Sequence, residues 1–259
     1  MPTFIALPAF QDNYIWLLAD DTTFKVTAVD PGDARPVIRW LGRHPEYQLS
    51  TILLTHHHRD HTGGVLSLKA ATQCRVLGPD NPAIDGIDRT LADGDQINLA
   101  GQSIRVIAVP GHTLDHIAFF CDDPQEPWLL SGDTLFAGGC GRVFEGTPAQ
   151  MHDSLQRLAA LPDDTTIYCT HEYTQANLRF AQAVEPDNPD IRVRLEVVED
   201  LRRDGQITLP TTLALEKRTN PFLRSAEPAV VEAASRQAGG EVTPGAETFA
   251  AIRAWKDIF

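Results

Sequence analysis

The sequence predicts an α/β protein with a smaller C-terminal α-helical domain, on three observations. Up to His171, short apolar runs alternate with Gly, Pro and Asp, the texture of strands and turns with occasional helices. After His171 the strand-like runs give way to helical periodicity. Within the first region, candidate ligand residues recur just after apolar runs, and in layered α/β folds such strand-end loops gather on one rim.

The elements follow in order. Tyr14–Leu18 and Phe24–Val29 read as a hairpin across Asp20-Asp21. Asp30-Pro31-Gly32 breaks the second strand, and Asp33 is placed to cap a helix running to Arg43. The fully apolar Thr51–Leu54 predicts a buried strand, followed by a helix over Gly63–Ala71. Ile104–Val109, Ile117–Phe120 and Trp128–Leu130 predict three further strands. Thr147 before Pro148 is a cap followed by proline in the first turn, so a helix should continue to about Ala160. Thr165–Cys169 reads as the last strand. Helical patterns then cover Gln175–Val184, Ile191–Arg203, Ala229–Gln237 and Ala246–Trp255, with breaks at Glu185–Pro189 and at Asn220-Pro221. The domain boundary is placed at residue 172, giving domains 1–172 and 173–259.

Composition bounds the function. With 42% hydrophobic and 22% charged residues over 259 positions, the chain is of ordinary globular type. A chain of this size buries roughly 70–75% of its unfolded surface. The formal net charge of −13 argues against nucleic acid or an anionic membrane as partner. Cys74, Cys121, Cys140 and Cys169 are scattered and form no CxxC pair, which suits reduced thiols in a cytoplasm. No basic leader or apolar run of membrane-spanning length is read.

The chemistry concentrates in Thr55-His56-His57-His58-Arg59-Asp60-His61. Four imidazoles and a carboxylate this close together repel when protonated, and neutral imidazole nitrogens commonly serve to hold a metal. In an extended segment alternate side chains share a face, so His56 and His58 point together and His57 points away. Asp60 and His61 then offer a second ligand set, and the spacing suggests two ions. His112 after Pro110-Gly111, Asp133 after Ser131-Gly132, and His171 after Cys169-Thr170 each follow an apolar run. Any one of them alone reads as ordinary turn or surface chemistry, but HxHxDH followed by GH, GD and a strand-end His is a specific pattern. His44, His116 and His152 match no ligand position.

This pattern resembles the metallo-β-lactamase superfamily, and within it the hydroxyacylglutathione hydrolases (glyoxalase II). The residues carrying the resemblance are the HxHxDH segment, the loop Gly138–Gly146, the segment Arg218-Thr219-Asn220-Pro221-Phe222-Leu223-Arg224, and Arg253-Ala254-Trp255-Lys256-Asp257. The resemblance implies an αββα sandwich followed by a helical substrate-binding domain. It assigns His56, His58 and His112 to one metal and Asp60, His61 and His171 to a second, with Asp133 bridging. Zinc is the expected ion at both places, with iron or manganese as alternatives. The implied glutathione contacts are Arg142, Phe144, Tyr173, Arg253 and Lys256. Arginine and lysine suit a ligand that carries two carboxylates. Where the family often has Lys and Tyr, this chain has Arg142 and Phe144, so one hydroxyl is missing and somewhat weaker substrate binding is expected.

The reaction implied is hydrolysis of S-(2-hydroxyacyl)glutathione, chiefly S-D-lactoylglutathione, to glutathione and D-lactate. Its nucleophile is a hydroxide bridging the metals, with Asp60 or Asp133 orienting it. No cysteine nucleophile is assigned to Cys140 or Cys169. The expected protein is a cytoplasmic monomer acting on a small molecule. Rival readings on the same scaffold are a mono-iron persulfide dioxygenase, a lactonase and a β-lactamase. A non-catalytic metal-binding protein is the rival from another class. The helical domain with Arg253 and Lys256 favours the thioesterase.

Overall fold

The β4 strand, Gln48–Leu53, lies inside a six-stranded sheet and sets the ligand loop at its C-terminal end. In this computed structural model, which describes residues 2–259, two units are resolved. One comprises the chain up to Ala108 together with Asp115–Gly132; the other comprises Val109–Leu114 and Asp133–Phe259.

In the first unit, β1 (Thr3–Ala9), β2 (Asn13–Asp20) and β3 (Lys25–Val29) pair antiparallel in sequence order. From β3 onward β4, β5 (Arg75–Pro79) and β6 (Arg89–Leu91) join in parallel. Parallel pairing requires crossovers. These are helix α1 (Ala34–Arg43) and, after the ligand loop, α2 (Arg59–Thr62) and α3 (Val65–Thr72). Asp33 caps α1 by accepting from the Arg35 N–H at 2.9 Å, as its position predicts. Val37, Trp40, Val65 and Leu68 of these helices pack on Val26, Ala28, Ile52 and Val76 of the sheet. A second, antiparallel set follows: β7 (Gln96–Leu99), β8 (Gln102–Ala108), β9 (Ile117–Cys121) and β10 (Trp128–Gly132). Phe4 of β1 meets Trp128 of β10 edge-on, with ring centroids 5.3 Å apart.

In the second unit, β11 (Leu135–Phe136) and β12 (Gly139–Cys140) form a short hairpin. Helix α4 (Pro148–Ala159) opens with a capping box, Thr147 and Gln150 each bonding the other's backbone N–H. Strand β13 (Thr166–Cys169) pairs with the two-residue β14 (Thr211–Thr212). The remaining helices are α5 (Thr174–Val184), α6 (Pro189–Arg203), α7 (Leu213–Thr219), α8 (Pro228–Ala238) and α9 (Ala246–Ile258).

Several elements differ from the sequence expectation. β1 is an additional strand; it is the edge of its sheet, the position where Pro8 can sit without breaking a ladder. The helix expected over Gly63–Ala71 is two helices, with Asp60 and His61 inside the first turn-and-a-bit and α3 starting only at Val65. β14 and α7 lie in the stretch between Arg203 and Asn220, for which the sequence reading gives no element, and both are short.

A buried ionic network ties the helical segment to the β11–β12 hairpin. Glu216 on α7 is fully buried and accepts from Arg194 on α6, from Thr211 Oγ1 at 2.7 Å and from the Gly138 N–H at 2.7 Å. Asn220 at the end of α7 donates to the Phe136 and Gly139 carbonyls at 3.2 and 2.9 Å. This gives the Arg218–Arg224 segment a physical task, holding the loop from below. Removing one partner strands a buried charge, so Glu216→Ala should lower the unfolding free energy by about 3–5 kcal/mol. A denaturant midpoint within error of the unaltered protein would refute that role.

Candidate metal centre

In the first unit the ligand loop hangs on one carboxylate. Asp30, at the end of β3, is 2% exposed and adopts a left-handed φ of +50° that Asp tolerates better than most residues. Its Oδ1 accepts from the Thr55 N–H and its Oδ2 from Thr55 Oγ1, both at 2.8 Å. Its Oδ2 also lies 3.1 Å from His61 Nδ1. Thr55 Oγ1 lies 3.0 Å from His56 Nδ1. These contacts engage the Nδ1 side of His56 and His61 and leave Nε2 for another partner, the usual way a ligand imidazole is oriented.

The other face of the loop carries the donors. His56 Nε2 lies 3.0 Å from His58 Nδ1, and their ring centroids are 4.7 Å apart. His61 Nε2 lies 3.4 Å from Asp60 Oδ2, which also accepts from Asn13 Nδ2 at 3.0 Å. His57 turns away, its Nδ1 lying 3.0 Å from Asp115 Oδ1, while Asn81 donates to the other Asp115 oxygen at 2.8 Å. His116, which matches no ligand position, is buried with its ring stacked on that of His56 at 4.7 Å.

In the second unit one oxygen faces two imidazoles. Asp133 Oδ2 lies 3.5 Å from His112 Nε2 and 3.3 Å from His171 Nε2. His112 Nδ1 lies 2.8 Å from the Arg142 carbonyl, which sets Nδ1 as the protonated nitrogen and turns Nε2 toward Asp133. A Cβ at Gly141 would fall 2.0 Å from the Asp133 carbonyl oxygen and 3.0 Å from His112 Nδ1, so only glycine lets the loop pass there. A tetrahedral ion with bonds of about 2.0–2.1 Å spaces its ligand atoms by roughly 3.4 Å. The separations of 3.0–3.5 Å within each unit fit that spacing. The donor set, imidazole and carboxylate with no thiolate, suits zinc, iron or manganese alike.

The remaining predicted site residues also fall in the second unit. Phe144 is 61% exposed, and its ring stands edge-on to His112 at 5.2 Å. Tyr173 stacks on His171 at 4.7 Å with the rings nearly parallel. Arg142 is exposed and lies 3.4 Å from Asp257. Arg253 is buried: Nη1 donates to the Cys140 carbonyl at 3.0 Å and Nη2 to Asp257 at 2.9 Å. Lys256 lies over the Phe180 and Phe259 rings, and burial first, then Arg253 and Arg142, lowers its pKa. Burial pushes the Cys140 thiol up to about 11 and the Cys169 thiol up to about 12. Neither is a thiolate at neutral pH, which agrees with assigning no cysteine nucleophile.

Sequence reasoning missed Asp30, Asn13 and the Arg142 carbonyl. Asp30-Pro31-Gly32 reads as turn punctuation, and only its place at a strand end next to the ligand loop hints at more. A backbone carbonyl leaves no signal in the side-chain sequence.

The fold and these donor sets define a metallo-β-lactamase-type protein, and the superfamily model of that description matches residues 25–171. A second model, described as hydroxyacylglutathione hydrolase C-terminus, matches residues 172–259. The chain belongs to the hydroxyacylglutathione hydrolase family. Relatives of that name include proteins from Pseudomonas savastanoi pv. phaseolicola, 59% identical, and Pseudomonas aeruginosa, 56% identical, each aligned over 98% of both chains. Among solved structures, the fold is similar to ETHE1 from Myxococcus xanthus, with 25% identity, coverage of 99% of both chains and a TM-score of 0.66. It is also similar to TTHA1623 in a di-iron-bound form, with 26% identity, 86% and 100% coverage and a TM-score of 0.58.

Asp30 touches no substrate in this arrangement, so its removal tests the scaffold of the site. Asp30→Ala should weaken metal affinity by about 10- to 100-fold, measured by competition with a chelator. Unchanged affinity would show that the loop holds itself.

Proposed function

We propose that this chain hydrolyses S-(2-hydroxyacyl)glutathione, chiefly S-D-lactoylglutathione, to glutathione and D-lactate, the second step of methylglyoxal detoxification. The observation that carries the reading is Asp133 Oδ2, which faces Nε2 of both His112 and His171 as a bridging ligand would. The relatives named hydroxyacylglutathione hydrolase, 56% and 59% identical over 98% of both chains, favour this reading over the more distant ETHE1 likeness at 25%.

In this reading the two donor sets complete one two-metal centre. His56, His58 and His112 hold one ion, Asp60, His61 and His171 hold the other, and Asp133 is shared. Zinc is the proposed ion, with iron or manganese able to take its place. Bound ions of this kind acidify water toward a pKa of about 7 and act as Lewis acids on a carbonyl oxygen.

The protein's own groups do the rest. The Asp30–Thr55 contacts and the Arg142 carbonyl keep the ligand imidazoles aimed, so little reorganisation is needed during the reaction. Asp60, steadied by Asn13, and Asp133 are placed to orient the attacking water. Phe144 and Tyr173, beside His112 and His171, would flank the acyl-sulfur end of the substrate. Arg142 and Lys256, with Arg253 beneath them, would answer the carboxylates of glutathione. The departing thiolate is a good leaving group, so no strong general acid is required of the chain. Residues 1–172 form the metal-binding domain in this proposal and 173–259 the substrate-binding one. The partner is a small molecule, and the protein acts as a cytoplasmic monomer; no described helix is long and apolar enough to cross a membrane.

Asp133→Ala tests the assignment. Hydrolysis of S-D-lactoylglutathione should fall by at least about 100-fold, and metal content measured on the purified variant should fall with it. Retention of both would exclude Asp133 as the shared ligand.

A further inference from the structure

The last helix carries a carboxylate that the proposed glutathione subsite does not require. Asp257 Oδ1 lies 2.9 Å from Arg253 Nη2 and 3.4 Å from Arg142 Nε. Lys256 is its neighbour in sequence. Two arginines thus meet one acid, and Lys256 adds a third cation on the same helix, a local excess of positive charge in a chain of net −13.

The two arginine contacts differ in kind. Arg253 is buried, its other contacts are to the Cys140 backbone and sulfur and to the Phe222 ring face, and Asp257 is its one carboxylate among the described residues. That pair is held in place. Arg142 and Asp257 have side chains 60% and 40% exposed, so their contact is screened and weak, easily exchanged for another carboxylate. The backbone of Arg142 is fixed meanwhile by its carbonyl on His112 Nδ1.

We propose that Asp257 is an internal stand-in for a substrate carboxylate. It keeps Arg142 turned toward the subsite in the free enzyme. It then competes with the incoming glutathione carboxylate for Arg142, which limits affinity for substrate and product alike and helps the glutathione leave. The inference rests on the hydrolase reading above. It makes Asp257 a residue that lowers affinity, the opposite sign from a residue that merely positions Arg142 for binding.

Asp257→Asn keeps an acceptor for Arg253 and removes the negative charge. Asp257→Glu restores the charge. The measurement is KM for S-D-lactoylglutathione and the inhibition constant of free glutathione, at low and high salt. For Asp257→Asn both constants should fall by about two- to fivefold at low salt, with kcat moving less than KM. The gain should shrink as salt is raised, and Asp257→Glu should return both constants toward those of the unaltered protein. Asp257→Ser, a second neutral variant, should act in the same direction if the Asn variant does not fold. Constants that are unchanged or raised in the neutral variants, with the unaltered protein active, overturn the inference and leave the hydrolase reading standing. No turnover of the thioester by the metal-loaded unaltered protein overturns that reading, and the inference with it.

Discussion

The Asp30 carboxylate is the constraint from which the ligand loop takes its shape. It sits at the end of a buried strand in a backbone conformation that few side chains tolerate, and it receives both polar hydrogens of Thr55 while facing His61. A buried carboxylate is costly unless it is fully engaged. Here the cost is offset by fixing the first residue of the ligand segment and the last. His56, His58 and Asp60 lie between those two anchors, Thr55 and His61. Their alternation along the chain then decides which nitrogens meet and sends His57 outward to Asp115.

The second unit solves the same problem with backbone groups. Asp133 and His171 follow strands, and His112 is oriented by the carbonyl of Arg142, which the chain can present only because Gly141 packs against the Asp133 carbonyl. The loop is in turn supported by Asn220, Glu216 and Arg253, all from the helical segment. A residue that orients a metal ligand and a residue proposed to bind substrate are thereby the same residue, Arg142.

Much of this was legible in the sequence because periodicity and spacing report on it directly. The HxHxDH spacing encodes which side chains share a face, and the capping residues Asp33 and Thr147 mark helix starts that the structure places where expected. The principal helices of the C-terminal segment follow from their 3.6-residue pattern. What could not be read are the pieces whose stability is tertiary. β1 carries Pro8 and survives only as an edge, and β14 is two residues long. Asp30 looks like a turn residue until Thr55 is brought against it. Arg253 is implied by the resemblance as a substrate contact, but its burial on the Cys140 carbonyl and the Phe222 ring leaves no mark in the sequence. For Asp30, Arg253 and β14 the deciding contact spans a long stretch of chain, and local sequence carries no record of it.

The central claim is the proposal that the chain hydrolyses its thioester with two bound metal ions. The most direct test is to strip the protein of metal and titrate zinc back while following hydrolysis of S-D-lactoylglutathione. Activity should rise until two equivalents are bound and then level off. Full activity at one equivalent, or no activity at two, would contradict the account.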